Sequence, residues 1–228
     1  MDDFTKPITR RASLLKGGGL FAALLAGGAA AEDSDGAGPA AVASGAVTCV
    51  LTPELTEGPY YVDDQKLRRN ITEGRPGVAL TLKLAVVNAS TCKPIKNAVV
   101  DIWHCDALGT YSGVQGSSGT FMRGLQRTDA NGVATFRTVY PGWYMGRAVH
   151  IHVKVHLGGS VVHTGQLFFP DTVTDTVYKR APYNRRPGRD MRNTADSIFV
   201  NGGKKSLLVV TKSGTGHVGS VRMGVHRA

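Results

Sequence analysis

Alternation of apolar and polar positions is the strongest pattern in this chain. "ALTLKLAVVN" (79–88) alternates over its whole length, the period of two that marks a strand with one face in a core. "STCKPIKNA" (90–98) reads as a turn, and "VVDIWHCDA" (99–107) as a second strand. "RTDANGVATFRTVYP" (127–141) carries a turn at Asp129-Ala130-Asn131-Gly132 between strand-forming residues, a hairpin signal. "AVHIHVKVHLG" (148–158), "VVHTGQLFFP" (161–170) and "KSLLVVTKSGTGHVGSVRMGV" (205–225) supply four further strands. Only "DTVTDTVYKR" (171–180) and "DMRNTADSIF" (190–199) suit short helices, with Asp residues as caps. The expected fold is all-β, an antiparallel sandwich with long loops and one or two short helices.

The first residues follow no such pattern. "ITRRASLLKGGGLFAALLAGGAAA" (8–31) places Arg10 and Arg11 before a short apolar run and ends in small residues, the layout of an export signal cut by a signal peptidase. Residues 1–31 are expected to be a twin-arginine signal, although Ser13 stands where such signals often carry Phe; an ordinary secretory signal or a disordered basic arm are the alternatives. The run is too short and too rich in glycine to span a bilayer, and no lipobox cysteine follows it, so no stable membrane anchor is expected. Residues 32–46, rich in Ala, Gly and Ser, read as a flexible leader, and 47–228 as the folded domain. With this organisation the protein is expected to be secreted.

Composition adds two constraints. The chain has 228 residues, 42% of them hydrophobic and 29 of them Gly, with a formal charge of +10. The charge raises nucleic-acid binding, but its densest stretches, "YKRAPYNRRPGRDMR" (178–192) and "GGKKS" (202–206), do not alternate with stacking aromatics. A nucleic-acid partner is therefore not expected; anionic small molecules or polymers suit such a surface better. Three cysteines in an exported chain suggest one disulfide and one thiol. Cys49 and Cys92 lie in polar, turn-rich surroundings and are the expected pair, whereas Cys105 sits within the second strand and is expected to be a buried thiol.

The candidate chemistry lies in "YPGWYMGRAVHIHV" (140–153). In a strand, positions i and i+2 share a face, so His150 and His152 project together while Ile151 and Val153 turn to the core. An H-x-H pair alone has structural explanations about as often as functional ones. Tyrosines nearby change the chemistry: Tyr144 lies across a turn begun by Pro141-Gly142, and Tyr111 lies in the loop "DALGTYSGV" (106–114). Phenolate is a hard anionic donor that favours Fe(III), whereas imidazole alone also suits Zn or Cu. Two tyrosinates would offset two of the three ferric charges. His156, on the same face, reads as structural or exposed, Trp103 as packing, and His104 as a structural or supporting contact.

The stretches "LTEGPYYVD" (55–63), "VVDIWHCDALGTYSG" (99–113), "FMRGLQRTDANGVATFRTVYPGWY" (121–144), "GRAVHIHVKV" (146–155) and "TGQLFFP" (164–170) resemble the intradiol ring-cleavage dioxygenases, the family of catechol 1,2-dioxygenase and protocatechuate 3,4-dioxygenase, and especially its small secreted bacterial members. The resemblance implies an Fe(III) cofactor held by Tyr111, Tyr144, His150 and His152, with Tyr111 retained and Tyr144 displaced when substrate binds. It implies that Arg147, in R-x-x-H-x-H, and Gln166 stabilise and place the substrate, and that Glu57-Gly58-Pro59-Tyr60 borders the pocket. The implied reaction is cleavage of a catechol-type diphenol between its hydroxylated carbons with O₂, giving a cis,cis-muconate-type diacid. Two features depart from the family's cytosolic enzymes: the interval from Tyr144 to His150 is shorter, and the helical N-terminal linker that pairs subunits is absent, which leaves oligomeric state open. Two other readings use the same residues: a carbohydrate- or peptide-binding sandwich with a structural His pair, and a zinc hydrolase, which would need a third His or carboxylate ligand.

Overall fold

The alternating stretches become eight strands: β1 Ala79–Asn88, β2 Val99–Trp103, β3 Arg123–Arg127, β4 Val133–Val139, β5 His150–Leu157, β6 Ser160–Phe168, β7 Val209–Ser213 and β8 Gly216–Val225. They are seen in a computed structural model that describes residues 49, 51–64, 66–114 and 116–226. The expected signal (1–31) and leader (32–46) lie outside the described residues, as does the expected start of the domain at Val47. The strands form two four-stranded sheets, ordered β4-β1-β8-β7 and β3-β2-β5-β6. Every pairing between neighbouring strands is antiparallel but one, since β1 and β8 run parallel from Leu80↔His217 to Asn88↔Val225. Strands so far apart in sequence are not bound by a tight turn, so their sense is not set locally.

The inner faces of the two sheets make the core. Leu80, Leu82, Leu84 and Val86 of β1, Phe136 of β4, and Val221 and Met223 of β8 meet Val100 and Ile102 of β2 and Ile151, Val153 and Val155 of β5. These are the apolar members of each alternation, as a two-layer packing requires.

β2 ends at Trp103, short of the expected 107. Asp106 is the reason: its Oδ1 accepts from the backbone N–H of Leu108 (2.9 Å) and Thr110 (3.0 Å), folding the chain into a turn that leads to Tyr111. Helix α1, Asp171–Val177, has Pro170 at its N-cap position with no side-chain cap, so Asp171 sits in the first turn instead of capping. Helix α2, Ser197–Val200, is capped by Asp196, whose carboxylate accepts from Ile198 and Phe199. Cys49 and Cys92 form a disulfide, and Cys105 is a buried thiol.

The outer face of the β3-β2-β5-β6 sheet is also covered. Residues 52–64 run across it: Leu55 N–H donates to Thr164 O (2.9 Å), and Glu54 accepts from Thr164 N–H (2.9 Å) and pairs with His163 (2.8 Å). His150, His152 and Lys154 are consequently buried although they oppose the core. No helix among the described residues is long and apolar enough to cross a membrane.

Candidate active site

One row of residues crosses the covered face. In register, Arg123 of β3 opposes Trp103 of β2, Trp103 opposes His152 of β5, and His152 opposes Gln166 of β6. The Trp103 indole stacks on the His152 imidazole at 5.0 Å between centroids and 7° between planes. His150 lies two positions away on the same face, its Nε2 3.1 Å from His152 Nε2. His150 Nδ1 is 2.6 Å from Ala148 O; a carbonyl can only accept, so Nδ1 carries the proton and Nε2 presents a lone pair, as in metal-binding histidines oriented by a backbone carbonyl.

The tyrosines arrive on separate loops. Gly142 N–H donates to Asp106 O (2.9 Å), and a Cβ on Gly142 would lie 2.5 Å from Ala107 O. That close approach pins the turn bearing Tyr144 against the loop bearing Tyr111. Tyr144 Oη reaches His150 Nε2 at 3.0 Å. Tyr111, almost fully buried, has its ring 5.7 Å from that of Tyr144 and 6.3 Å from that of His152; among the described residues its hydroxyl makes no close hydrogen bond and interacts only with the Tyr144 hydroxyl.

Burial holds all four groups neutral. It lowers His150 to about 3, with Arg147 adding repulsion, and it drives His152 well below its ordinary value, helped by His150 and Arg147. It raises Tyr144 to about 12, partly offset by Arg147, and carries Tyr111 well above the ordinary phenol. Neutral imidazoles are ligands in waiting, and phenols of this kind ionise readily only beside a cation.

Arg147 and Gln166 meet as a pair. Arg147 Nη2 donates to Gln166 Oε1 (2.5 Å), Arg147 Nε donates to Asp196 Oδ2 (3.0 Å), and Gln166 Nε2 donates to Thr56 O (2.9 Å). Asp196 also accepts from Ala148 N–H (2.8 Å), so one carboxylate fixes the start of the His150 strand, the arginine and helix α2. By sequence the aspartates in this stretch are expected only as helix caps, and nothing local signals a contact with a residue so distant in the chain. The stack of Trp103 on His152 was likewise read only as packing.

The strip 57–60 approaches as expected, with its members doing different things. Gly58 (φ +74°) lies so close that an added Cβ would be 2.9 Å from His152 Cε1, a position that only glycine fills. The Tyr60 ring is 4.5 Å from Tyr111 and 5.9 Å from Tyr144. Glu57 pairs with Lys154 Nζ at 2.5 Å, and that ammonium lies 3.6 Å over the Tyr61 ring. Pro59 is exposed. His104 is satisfied structurally, by Cys105 O at 2.7 Å and Thr138 Oγ1 at 2.9 Å, and His156 has a buried Nε2 without a partner among the described residues.

The donor set suits a hard metal ion. Two imidazole Nε2 atoms and the Tyr144 phenol converge, and the buried Tyr111 phenol stands beside them. Among the described residues no group of three or more His, Cys, Asp and Glu is placed to hold a metal, so a full set of protein ligands here must draw on the tyrosines.

Comparison with known proteins agrees in fold and in sequence. A family model described as "Dioxygenase" matches residues 56–181. The chain is 37% identical over 98 residues to a catechol 1,2-dioxygenase of Acinetobacter lwoffii, a match covering 41% of this chain and 35% of that enzyme. A chlorocatechol 1,2-dioxygenase of a Pseudomonas strain is 30% identical over 144 residues, covering 50% of this chain and 53% of the relative. The chain thus spans only about a third to a half of these curated relatives. An intradiol ring-cleavage dioxygenase structure from Tetranychus urticae superposes with a TM-score of 0.75 at 37% identity, covering 78% of this chain and 95% of that one.

Proposed function

This chain belongs to the intradiol ring-cleavage dioxygenase family, and from that premise we propose that it is a non-haem Fe(III) enzyme. Its substrate would be a catechol-type diphenol, cleaved with O₂ between the hydroxylated carbons to a cis,cis-muconate-type diacid. The observation that carries the reading is the convergence of His150 Nε2, His152 Nε2 and Tyr144 Oη next to the buried phenol of Tyr111. Those four residues would hold the ion. When bound, ferric iron supplies the Lewis acidity that keeps the diphenol ionised and the ring open to attack by O₂.

The chain's own groups divide the remaining work. Tyr144, only partly buried, is the phenolate oxygen that takes a proton from a substrate hydroxyl. Tyr111, sealed beneath Tyr60, stays in place throughout. Arg147, fixed on two sides by Asp196 and Gln166, directs positive charge at the negative charge that grows on the ring. Gly58 and Tyr60 close the site from above and limit water. Export through the N-terminal twin-arginine segment is part of the same proposal, supported by Arg10, Arg11 and the small residues at 29–31, and is checked by the N-terminal sequence of protein recovered from culture medium.

The purified chain tests the reading directly. It should carry one ferric ion, absorb visible light through tyrosinate-to-iron charge transfer, and convert catechol to a diacid in step with O₂ uptake. A folded, colourless protein from iron-replete medium that holds zinc and leaves catechol intact would overturn it.

A further inference from the structure

Arg123 is a buried guanidinium at the start of β3, 2% exposed, and it forms no ion pair among the described residues. Asp64 and Asp101 act on it only from a distance, and burying a cation without a bonded carboxylate is costly, so its contacts need a reason. They fall on one residue. Arg123 Nε donates to Ser112 O (3.1 Å) and Ser112 Oγ (3.0 Å), and Nη2 donates to Ser112 O (2.7 Å). Ser112 is the residue after Tyr111, and its hydroxyl donates onward to Phe121 O (2.6 Å).

The arginine is itself held from behind. Arg68 donates to the Arg123 carbonyl through Nε (3.0 Å) and Nη2 (2.8 Å), and Arg68 Nη1 pairs with Glu73 (2.6 Å). Glu73 in turn accepts from Thr120 Oγ1 (2.5 Å). Arg123 also occupies the row that runs through Trp103 to His152. A single side chain therefore ties the loop bearing one tyrosine to the sheet bearing the histidines. By contrast, among the described residues the Tyr111 hydroxyl makes no close hydrogen bond and meets only Tyr144, which is itself on a loop, so the position of its phenol depends on how its backbone is held.

We propose that Arg123 is a positioning residue for the metal site: by forking onto Ser112 it fixes where Tyr111 presents its oxygen relative to His150 and His152. The inference rests on the ferric reading above. A fork needs a planar group with donors on adjacent nitrogens, which arginine has and lysine lacks. Arg123→Lys keeps the charge and loses the fork, whereas Arg123→Met loses both. Ser112→Ala removes only the hydroxyl and leaves the carbonyl that both guanidinium nitrogens reach.

The test uses the full chain, with ferric affinity measured by competition against a chelator and the tyrosinate band recorded with and without saturating catechol. Arg123→Met should lose affinity by about 10–100-fold, the range for groups that orient metal ligands from behind, with a displaced band. Arg123→Lys should fall between Met and wild type, and Ser112→Ala should stay nearest wild type. Should the Met variant fail to fold, the Lys variant decides, through the same loss and displacement at a melting temperature near wild type. Folded Arg123 variants that lower the melting temperature yet bind iron with unchanged affinity and an unchanged band would show a merely structural arginine and overturn the proposal alone. A wild-type chain that takes up no iron and shows no band would overturn the ferric reading, and the assignment of Arg123 with it.

Discussion

The two faces of β5 are both buried, and they are buried in opposite ways. Ile151, Val153 and Val155 pack into the apolar core between the sheets. His150, His152 and Lys154 lie beneath the crossing segment 52–64, where among the described residues Trp103 Nε1, Arg123 Nη1 and His152 Nδ1 are left without partners. A core satisfies its groups by excluding polar atoms; this second interior keeps polar atoms and leaves several unsatisfied. Unmet hydrogen-bonding capacity is expensive, and it is tolerated where something else is to be bound.

Substitutions one position apart should break that comparison most sharply. His152→Ala should lose most of the bound iron and with it nearly all turnover, since it removes a proposed ligand and the partner of the Trp103 stack. Ile151→Ala should lower unfolding stability by about 2–5 kcal/mol, as truncation of a buried Ile does, while its folded fraction keeps iron and colour. Metal analysis and urea unfolding of both variants separate the faces. Equal loss of iron in the two would mean that the outer face has no role distinct from packing.

The two tyrosines sharpen the same contrast within the polar interior, because Tyr111 is sealed and Tyr144 is partly exposed. Tyr144→Phe should still bind iron through three protein ligands, with a shifted colour and slower turnover. Tyr111→Phe should lose the charge-transfer band that survives in the catechol complex and should weaken the preference for Fe(III). The deciding measurement is the spectrum of each variant with saturating catechol. Loss of tyrosinate absorption in the Tyr144 complex, with its retention in the Tyr111 complex, would reverse the roles.

How much of this was readable beforehand follows the same division. Alternation marked β1, β5 and β6 and put Ile151 and Val153 inside, because packing against one face imposes a period of two. The same period placed His150 and His152 together. Tyr111 and Tyr144 stood out as phenol donors near that pair, but their separate roles, and Arg147 and Gln166 altogether, came from resemblance to a family, since alternation tells which face a residue takes and not what it does there. Of the cover over the outer face only the strip 57–60 was anticipated, by the resemblance, because 52–64 has no periodic pattern and its anchors, such as Glu54 with His163 and Thr164, are distant in the chain. For the same reason Asp196 was seen as a cap and not as the support of Arg147. The parallel sense of β1 and β8 also lay beyond local signals.

The smallest effect tests how dry the covered face is. Asp101 lies on it opposite Lys154, hydrogen-bonded to Tyr61 and repelled by Asp63 and Asp64. Burial is the dominant influence and pushes its carboxyl from 3.8 to about 7; Tyr61 and Lys154 only partly offset it, and the Lys154 ammonium is also engaged with Glu57. The folded value lies above the unfolded one, so between these limits the folded chain keeps a proton that the unfolded chain has released. Stability from this group therefore falls as pH rises through that window and levels off above it. The buried histidines act in the opposite sense: burial lowers His104 to about 4 and His150 to about 3, so they destabilise the fold as pH falls from 6.5 toward those values. The raw pH profile mixes the two, and comparison with Asp101→Asn separates them, because Asn can still accept from Tyr61 but carries no charge. In iron-free protein, the stability of the Asn variant relative to wild type should be level below about pH 4, should climb up to about pH 7, and should be level again beyond it. Urea unfolding at a series of pH values measures this difference. A difference that stays level throughout would mean that Asp101 ionises as it does in water, so that water reaches the covered face and its burial is not comparable to that of the core.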